Sequence, residues 1–186
     1  MSGARTHWAR RLRPVGLLGM LVCLTAFADG PATPSGRPDK SGSAPLFAAT
    51  LFDFNNQPTS LAGHRGKPMI LNFWARWCGP CRVEIPELVS LQKRNTGVEI
   101  LGLNIESNSA TVRDFAYAYD VNYPVFLTRE PGLALMQAMG NQKTVLPFTV
   151  VLNRHGTVVS THVGAMTREK LDAAVELALK PVAAPN

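Results

Sequence analysis

Cysteine is scarce in this chain, with three in 186 residues, at positions 23, 78 and 81. Cys78 and Cys81 stand too close together to staple a fold. The stabilisation from a disulfide grows with the loop it closes, and even a 15-residue loop is worth only about 3 kcal/mol. So few thiols also leave no zinc site, because structural zinc needs four ligands. The remaining candidates, His64, His155 and His162, are not paired at ligand spacing and read as ordinary loop or strand histidines. Covalent haem attachment needs a histidine directly after the second cysteine, and here that residue is Arg82.

A long hydrophobic run is also missing. A spanning helix wants roughly 20 apolar residues, and Val15 to Ala28, VGLLGMLVCLTAFA, is shorter. It follows a basic start (Arg5, Arg10, Arg11, Arg13) and ends on Ala26-Phe27-Ala28, the small-x-small pattern a signal peptidase cuts after. Residues 1–28 therefore read as an export signal, with an uncleaved membrane anchor as the alternative. Met20-Leu21-Val22 lacks the small residues of a lipobox before Cys23, and nothing around Arg10-Arg11 matches the fuller twin-arginine motif. There is no basic stripe either. The formal charge of +6 falls to +2 in residues 29–186, where 15 Lys or Arg face 13 Asp or Glu, and these are scattered. That distribution excludes a nucleic-acid partner.

What is present falls into four expected segments: the leader 1–28, a flexible linker 29–45, a domain 46–181 and a tail 182–186. Asp29 to Ala44 is rich in Pro, Gly, Ser and charge and has no apolar periodicity, so it cannot bury enough surface to offset its ordering entropy. From Leu46 to Phe54 a short strand or hairpin is expected, turning at Asn55 to Pro58. Pro68 to Ala75, PMILNFWA, is a nearly continuous apolar run bounded by turn residues, which predicts a central strand covered on both faces. Pro80 to Arg94 has helical spacing, with Val83, Leu88 and Leu91 on one side.

Val98 to Ile105 predicts a second buried strand, Ser109 to Tyr119 a helix, Val125 to Leu127 a short strand and Pro131 to Met139 another helix. Met136 and Met139 sit at helical spacing and read as core rather than as copper ligands. Phe148 to Leu152 and Thr157 to His162 predict paired strands around the turn Asn153 to Gly156. Thr167 to Leu179 predicts a closing amphipathic helix capped by Thr167, with Leu171, Val175 and Leu179 on one face. This order of elements predicts an α/β fold, a mixed sheet with helices on both faces and an N-terminal strand or hairpin extension.

The chemistry concentrates in FWARWCGPC, Phe73 to Cys81. A strand feeding a helix here puts Cys78 at the helix N-terminus, where unpaired N–H groups and the dipole favour a thiolate. Cys78 is then the expected exposed nucleophile with a lowered pKa. Pro80 suits the first helical turn, where no N–H is needed. Cys81, one turn deeper, is placed to resolve the mixed disulfide that Cys78 forms.

NFWARWCGPCRVEIPEL, Asn72 to Leu88, resembles the thioredoxin superfamily, and more closely its TlpA and ResA-like branch of periplasmic or membrane-tethered thiol-disulfide reductases. The likeness spans Leu46 to Leu179. It implies a thioredoxin-like fold and a redox-active Cys78-Cys81 pair with no other cofactor. It also implies that Pro147 is the family's cis-proline, with Leu146 before it offering backbone hydrogen bonds to a substrate beside Cys78. Asn72 departs from thioredoxin, which has a proton-transferring aspartate there. Glu84, three residues beyond Cys81 on the same helical side, matches the branch's active-site glutamate; its alternative is a first-turn acid facing the helix dipole. Trp77, Gly79, Pro80, Leu146 and Pro147 are the expected substrate-contacting residues.

The resemblance further implies bacterial periplasmic localisation, soluble or tethered to the inner membrane. Protein disulfides would be substrates, apocytochrome c among them, with a membrane thiol donor of the DsbD or CcdA type. Thioredoxin and DsbA share this fold yet differ by about 150 mV, roughly 7 kcal/mol. Gly79-Pro80 matches thioredoxin and points to a reductase; the alternatives are an oxidase or isomerase, or a binding module that senses redox state.

Overall fold

The computed structural model describes residues 42–94 and 96–181. The expected leader, most of the linker and the tail lie outside the described residues. Among the described residues no helix is long and apolar enough to cross a membrane.

The first element differs from the sequence expectation. Ala44–Ala48 forms a short helix, α1, where a linker end and a strand are expected. Pro45 occupies its first turn, where a missing N–H costs nothing, and Leu46 and Phe47 are buried beneath it. The expected hairpin follows directly. Strands β1 (Leu51–Phe52) and β2 (Pro58–Thr59) pair antiparallel and join the sheet through Phe52 opposite Leu127.

Strand β3 (Met69–Trp74) is buried throughout and runs parallel to β4 (Glu99–Asn104) and antiparallel to β6 (Phe148–Leu152). Helix α2 (Gly79–Lys93) crosses between β3 and β4. Helix α3 (Ser109–Ala118) crosses to β5 (Val125–Leu127), which is parallel to β4, and α4 (Pro131–Ala138) leads to β6. A hairpin turn joins β6 to β7 (Val158–Val163), and α5 (Arg168–Leu179) ends the fold, with the Thr167 side chain accepting from Lys170 N as expected of a cap. The seven strands lie in the order β2-β1-β5-β4-β3-β6-β7.

Side-chain alternation along β3 divides the core into two layers. Ile70 and Trp74 join α2, α3 and α5 on one face. Met69, Leu71 and Phe73 join α1 and α4 on the other, with Met136 and Met139 buried among them. Helices on both faces of a mixed sheet are the architecture the sequence predicts.

Two predicted core residues are not in it. Val83 is 71% exposed. The buried stripe of α2 is Cys81, Glu84, Ile85, Leu88, Val89 and Leu91, and at 3.6 residues per turn Val83 falls opposite it. Leu179, at the last position of α5, is 37% exposed, and Leu171, Ala174, Val175 and Ala178 carry the burial instead.

Candidate active site

The site forms where β3 ends. The chain turns through a hydrogen bond from Cys78 N to Ala75 O (3.1 Å), and Cys78 becomes the N-cap of α2 in an extended conformation. Its Sγ accepts from Cys81 N at 3.2 Å, so the sulfur takes the place of a capping oxygen. Cys78 and Cys81 form a disulfide with an S–S length of 2.06 Å. Pro80 lies in the first turn of the helix, as predicted.

The sequence predicts an exposed nucleophile, but in the disulfide-bonded protein Cys78 is only 5% exposed against 0% for Cys81. The reason is that its sulfur is tied to a fully buried partner while capping an inward-facing N–H. Cys78 is still the member of the pair that touches solvent. Around it Gly79 and Pro80 are exposed, and Trp77 is 65% exposed. Trp74 instead is fully buried and packs on Phe115 with ring centroids 5.3 Å apart. The Leu146-Pro147 peptide is cis, with Leu146 half-buried and Pro147 buried at the start of β6.

Glu84 lies in the second turn of α2 and is 1% exposed, which removes the reading of a first-turn acid at the helix dipole. Its Oε2 accepts from Asn72 Nδ2 at 2.8 Å and its Oε1 from Met166 N at 3.0 Å. Asn72 Nδ2 also donates to Thr149 Oγ1 at 3.1 Å. Burial opposes these two hydrogen bonds and prevails, raising the carboxyl pKa from 4.5 to about 7. Tyr123, also buried, is pushed further up by its own burial and then by the charge of Glu84, so it stays a phenol.

A second polar network is not apparent in the sequence. Glu106, just beyond β4, takes Arg76 N on Oε2 at 2.7 Å, while its Oε1 pairs with the guanidinium at 3.0 and 3.1 Å. Asn104 Oδ1 in turn accepts from Glu106 N at 2.8 Å. This network ties the redox loop to the neighbouring strand end. No signal finds it in advance, because Arg76 and Glu106 meet only when β3 and β4 pair in this register.

A disulfide at a helix N-terminus, a cis-proline opening the strand that pairs with the one feeding that helix, and a buried carboxyl in the helix's second turn, on a mixed sheet covered on both faces, define a thioredoxin-fold thiol-disulfide oxidoreductase. The Redoxin family matches residues 40–177, and the chain belongs to it, within the TlpA and ResA-like part of the thioredoxin superfamily. The thiol-disulfide oxidoreductase ResA of Halalkalibacterium halodurans is 33% identical over 72% of this chain and 74% of its own length. That of Bacillus subtilis is 30% identical over 89% and 91%. The crystal structure of a thioredoxin-related protein from Neisseria meningitidis serogroup B superposes with a TM-score of 0.61 at 33% identity, covering 69% of this chain and 97% of that one.

Proposed function

We propose that this oxidoreductase is an exported reductase of protein disulfides, with Cys78 as nucleophile, Cys81 as resolving thiol and Glu84 as proton carrier. In the reduced protein the Cys78 thiolate attacks a substrate disulfide. One S–S bond breaks, a mixed disulfide forms, and the released substrate thiolate takes a proton. Glu84 then accepts the proton of Cys81, whose thiolate attacks Cys78 Sγ and breaks the mixed disulfide, and the leaving substrate thiolate takes that proton from Glu84. Two electrons pass to the substrate, and the protein is left as the Cys78-Cys81 disulfide.

The observation that carries this reading is Cys78 Sγ at the N-cap of α2, accepting Cys81 N at 3.2 Å. A thiolate there gains that N–H and the positive end of the helix dipole. Glu84, with a pKa of about 7, is matched to proton traffic near neutral pH. We assign substrate contact to the exposed Trp77, Gly79 and Pro80 and to the backbone of half-buried Leu146, set by the buried cis Pro147. The basic, apolar leader of residues 1–28 supports export to the periplasm, by cleavage or as a tether. In that compartment apocytochrome c is a suitable disulfide substrate, and a membrane thiol transporter of the DsbD or CcdA type a suitable donor.

The test is reduction of insulin with dithiothreitol as electron source. A reductase accelerates precipitation of the insulin chains, and Cys78→Ala abolishes the acceleration. A protein that leaves the rate at that of dithiothreitol alone is a redox-sensing binding module instead.

A further inference from the structure

Helix α4 ends in a Schellman motif. Gly140 adopts φ 100°, with its N–H on Gln137 O at 3.0 Å, and Asn141 N reaches Met136 O at 3.0 Å. The positive φ suits a glycine here. Asn141 is therefore fixed to the helix by its backbone, and its side chain is 4% exposed. The carboxamide bonds the backbone of Val145 at both groups: Asn141 Nδ2 donates to Val145 O at 2.8 Å, and Val145 N donates to Asn141 Oδ1 at 3.3 Å. Thr144 N on Asn141 O at 3.0 Å closes the loop between them. Thr144 holds φ 51°, a left-handed conformation unusual for a β-branched residue, so the loop is drawn into its shape by these bonds.

The residue after Val145 is Leu146, and cis Pro147 follows. Pro147 O is taken by Gly164 N at 2.8 Å, whereas no hydrogen bond among the described residues engages the backbone N–H or C=O of Leu146. Val145 is thus tied to Asn141 just beyond α4 on one side, and Pro147 to Gly164 just after β7 on the other. The Leu146 peptide groups are held between two fixed points and left free.

We propose that Asn141 is a positioning residue for substrate, setting the backbone of Leu146 in the orientation that pairs with an extended peptide carrying a disulfide. This rests on the reductase reading above. Asn141 acts through Val145 and touches neither sulfur, so it governs binding of extended chains and leaves the exchange chemistry alone. The side-chain amide is needed as both donor and acceptor. An aspartate at this position keeps the acceptor for Val145 N but sets a carboxylate oxygen against Val145 O.

The experiment is single-turnover oxidation of the reduced, full-length protein, followed by tryptophan fluorescence. One oxidant is a synthetic extended peptide with an internal disulfide; the other is hydroxyethyl disulfide, which has no backbone to pair. In each case the protein dithiol loses two electrons and two protons and the disulfide gains them. Asn141→Ala is expected to raise the half-saturating peptide concentration about tenfold, the scale of one or two net hydrogen bonds. The limiting rate and the hydroxyethyl disulfide rate stay within about twofold, the pattern of lost binding rather than lost chemistry. Asn141→Asp is expected to show the same split, and it separates the role from simple cavity formation because it fills the site.

Equal half-saturation in wild type and both variants overturns the role of Asn141. So does a loss that falls equally on both oxidants, which marks a structural residue only. A wild-type protein that oxidises with neither disulfide contradicts the reductase reading itself, and the inference falls with it.

Discussion

Glu84 is a buried acid whose two hydrogen bonds do not compensate its desolvation. A carboxyl with a folded pKa of about 7 and an ordinary value of 4.5 binds more protons folded than unfolded between those pH values. Its contribution to stability is fully present below about pH 4.5 and is lost as pH rises to about 7, a loss of the order of 3 kcal/mol at about 1.4 kcal/mol per pH unit. Urea unfolding across this window should show the decline in wild type and not in Glu84→Gln. Titration of the reduced thiols carries the functional half of the prediction: in Glu84→Gln the pH dependence of Cys78 and Cys81 should shift, and unchanged thiol pKa values would remove Glu84 from the mechanism. Asn72 sharpens the point. A neutral amide beside Glu84 donates a hydrogen bond to it, where an aspartate would add a second buried charge.

At the scale of elements, most of the architecture is legible in the sequence because apolar runs and helical spacing report burial directly. The run Pro68 to Ala75 becomes β3 with one residue trimmed at each end, since Pro68 and Ala75 lie at its turns. What was illegible is of two kinds. Helix α1 is five residues long, too short for a period to show, and its Leu46 and Phe47 read equally well as strand. Two clamps join residues far apart in the chain, Glu84 to Met166 N and Arg76 to Glu106, while Asn141 holds Val145 only four residues on, through loop geometry rather than a motif. Cys78, Cys81, Glu84 and Pro147 were visible because the first pair has a setting with one chemistry and the others align with a family pattern.

The Arg76-Glu106 clamp makes an element-scale prediction. It anchors the loop between β3 and α2 through a backbone N–H as well as a guanidinium. Charge-assisted bonds are worth more than neutral ones, but the Arg76 side chain is 37% exposed and solvent screens its share. Glu106→Gln should therefore cost about 1 kcal/mol in urea unfolding, and Glu106→Ala about 2 kcal/mol because Arg76 N loses its acceptor. Equal stability of all three proteins would show that the clamp is ornamental.

For the molecule as a whole, the sheet brings to one end two stretches that are far apart in sequence: the turn after β3 running into α2, and the loop after α4 running into the cis-proline that opens β6. In the proposed exchange the first stretch carries the nucleophile Cys78, the resolving Cys81, the proton carrier Glu84 and the exposed Trp77, and the second carries the Leu146 backbone assigned to substrate. The central claim is the division of labour between the two sulfurs. It is tested most directly by mass spectrometry of single-cysteine variants exposed to a peptide disulfide. The account predicts that Cys81→Ala accumulates a mixed disulfide on Cys78, while Cys78→Ala leaves Cys81 unmodified. Adducts forming equally well on Cys81 in the second variant would contradict it.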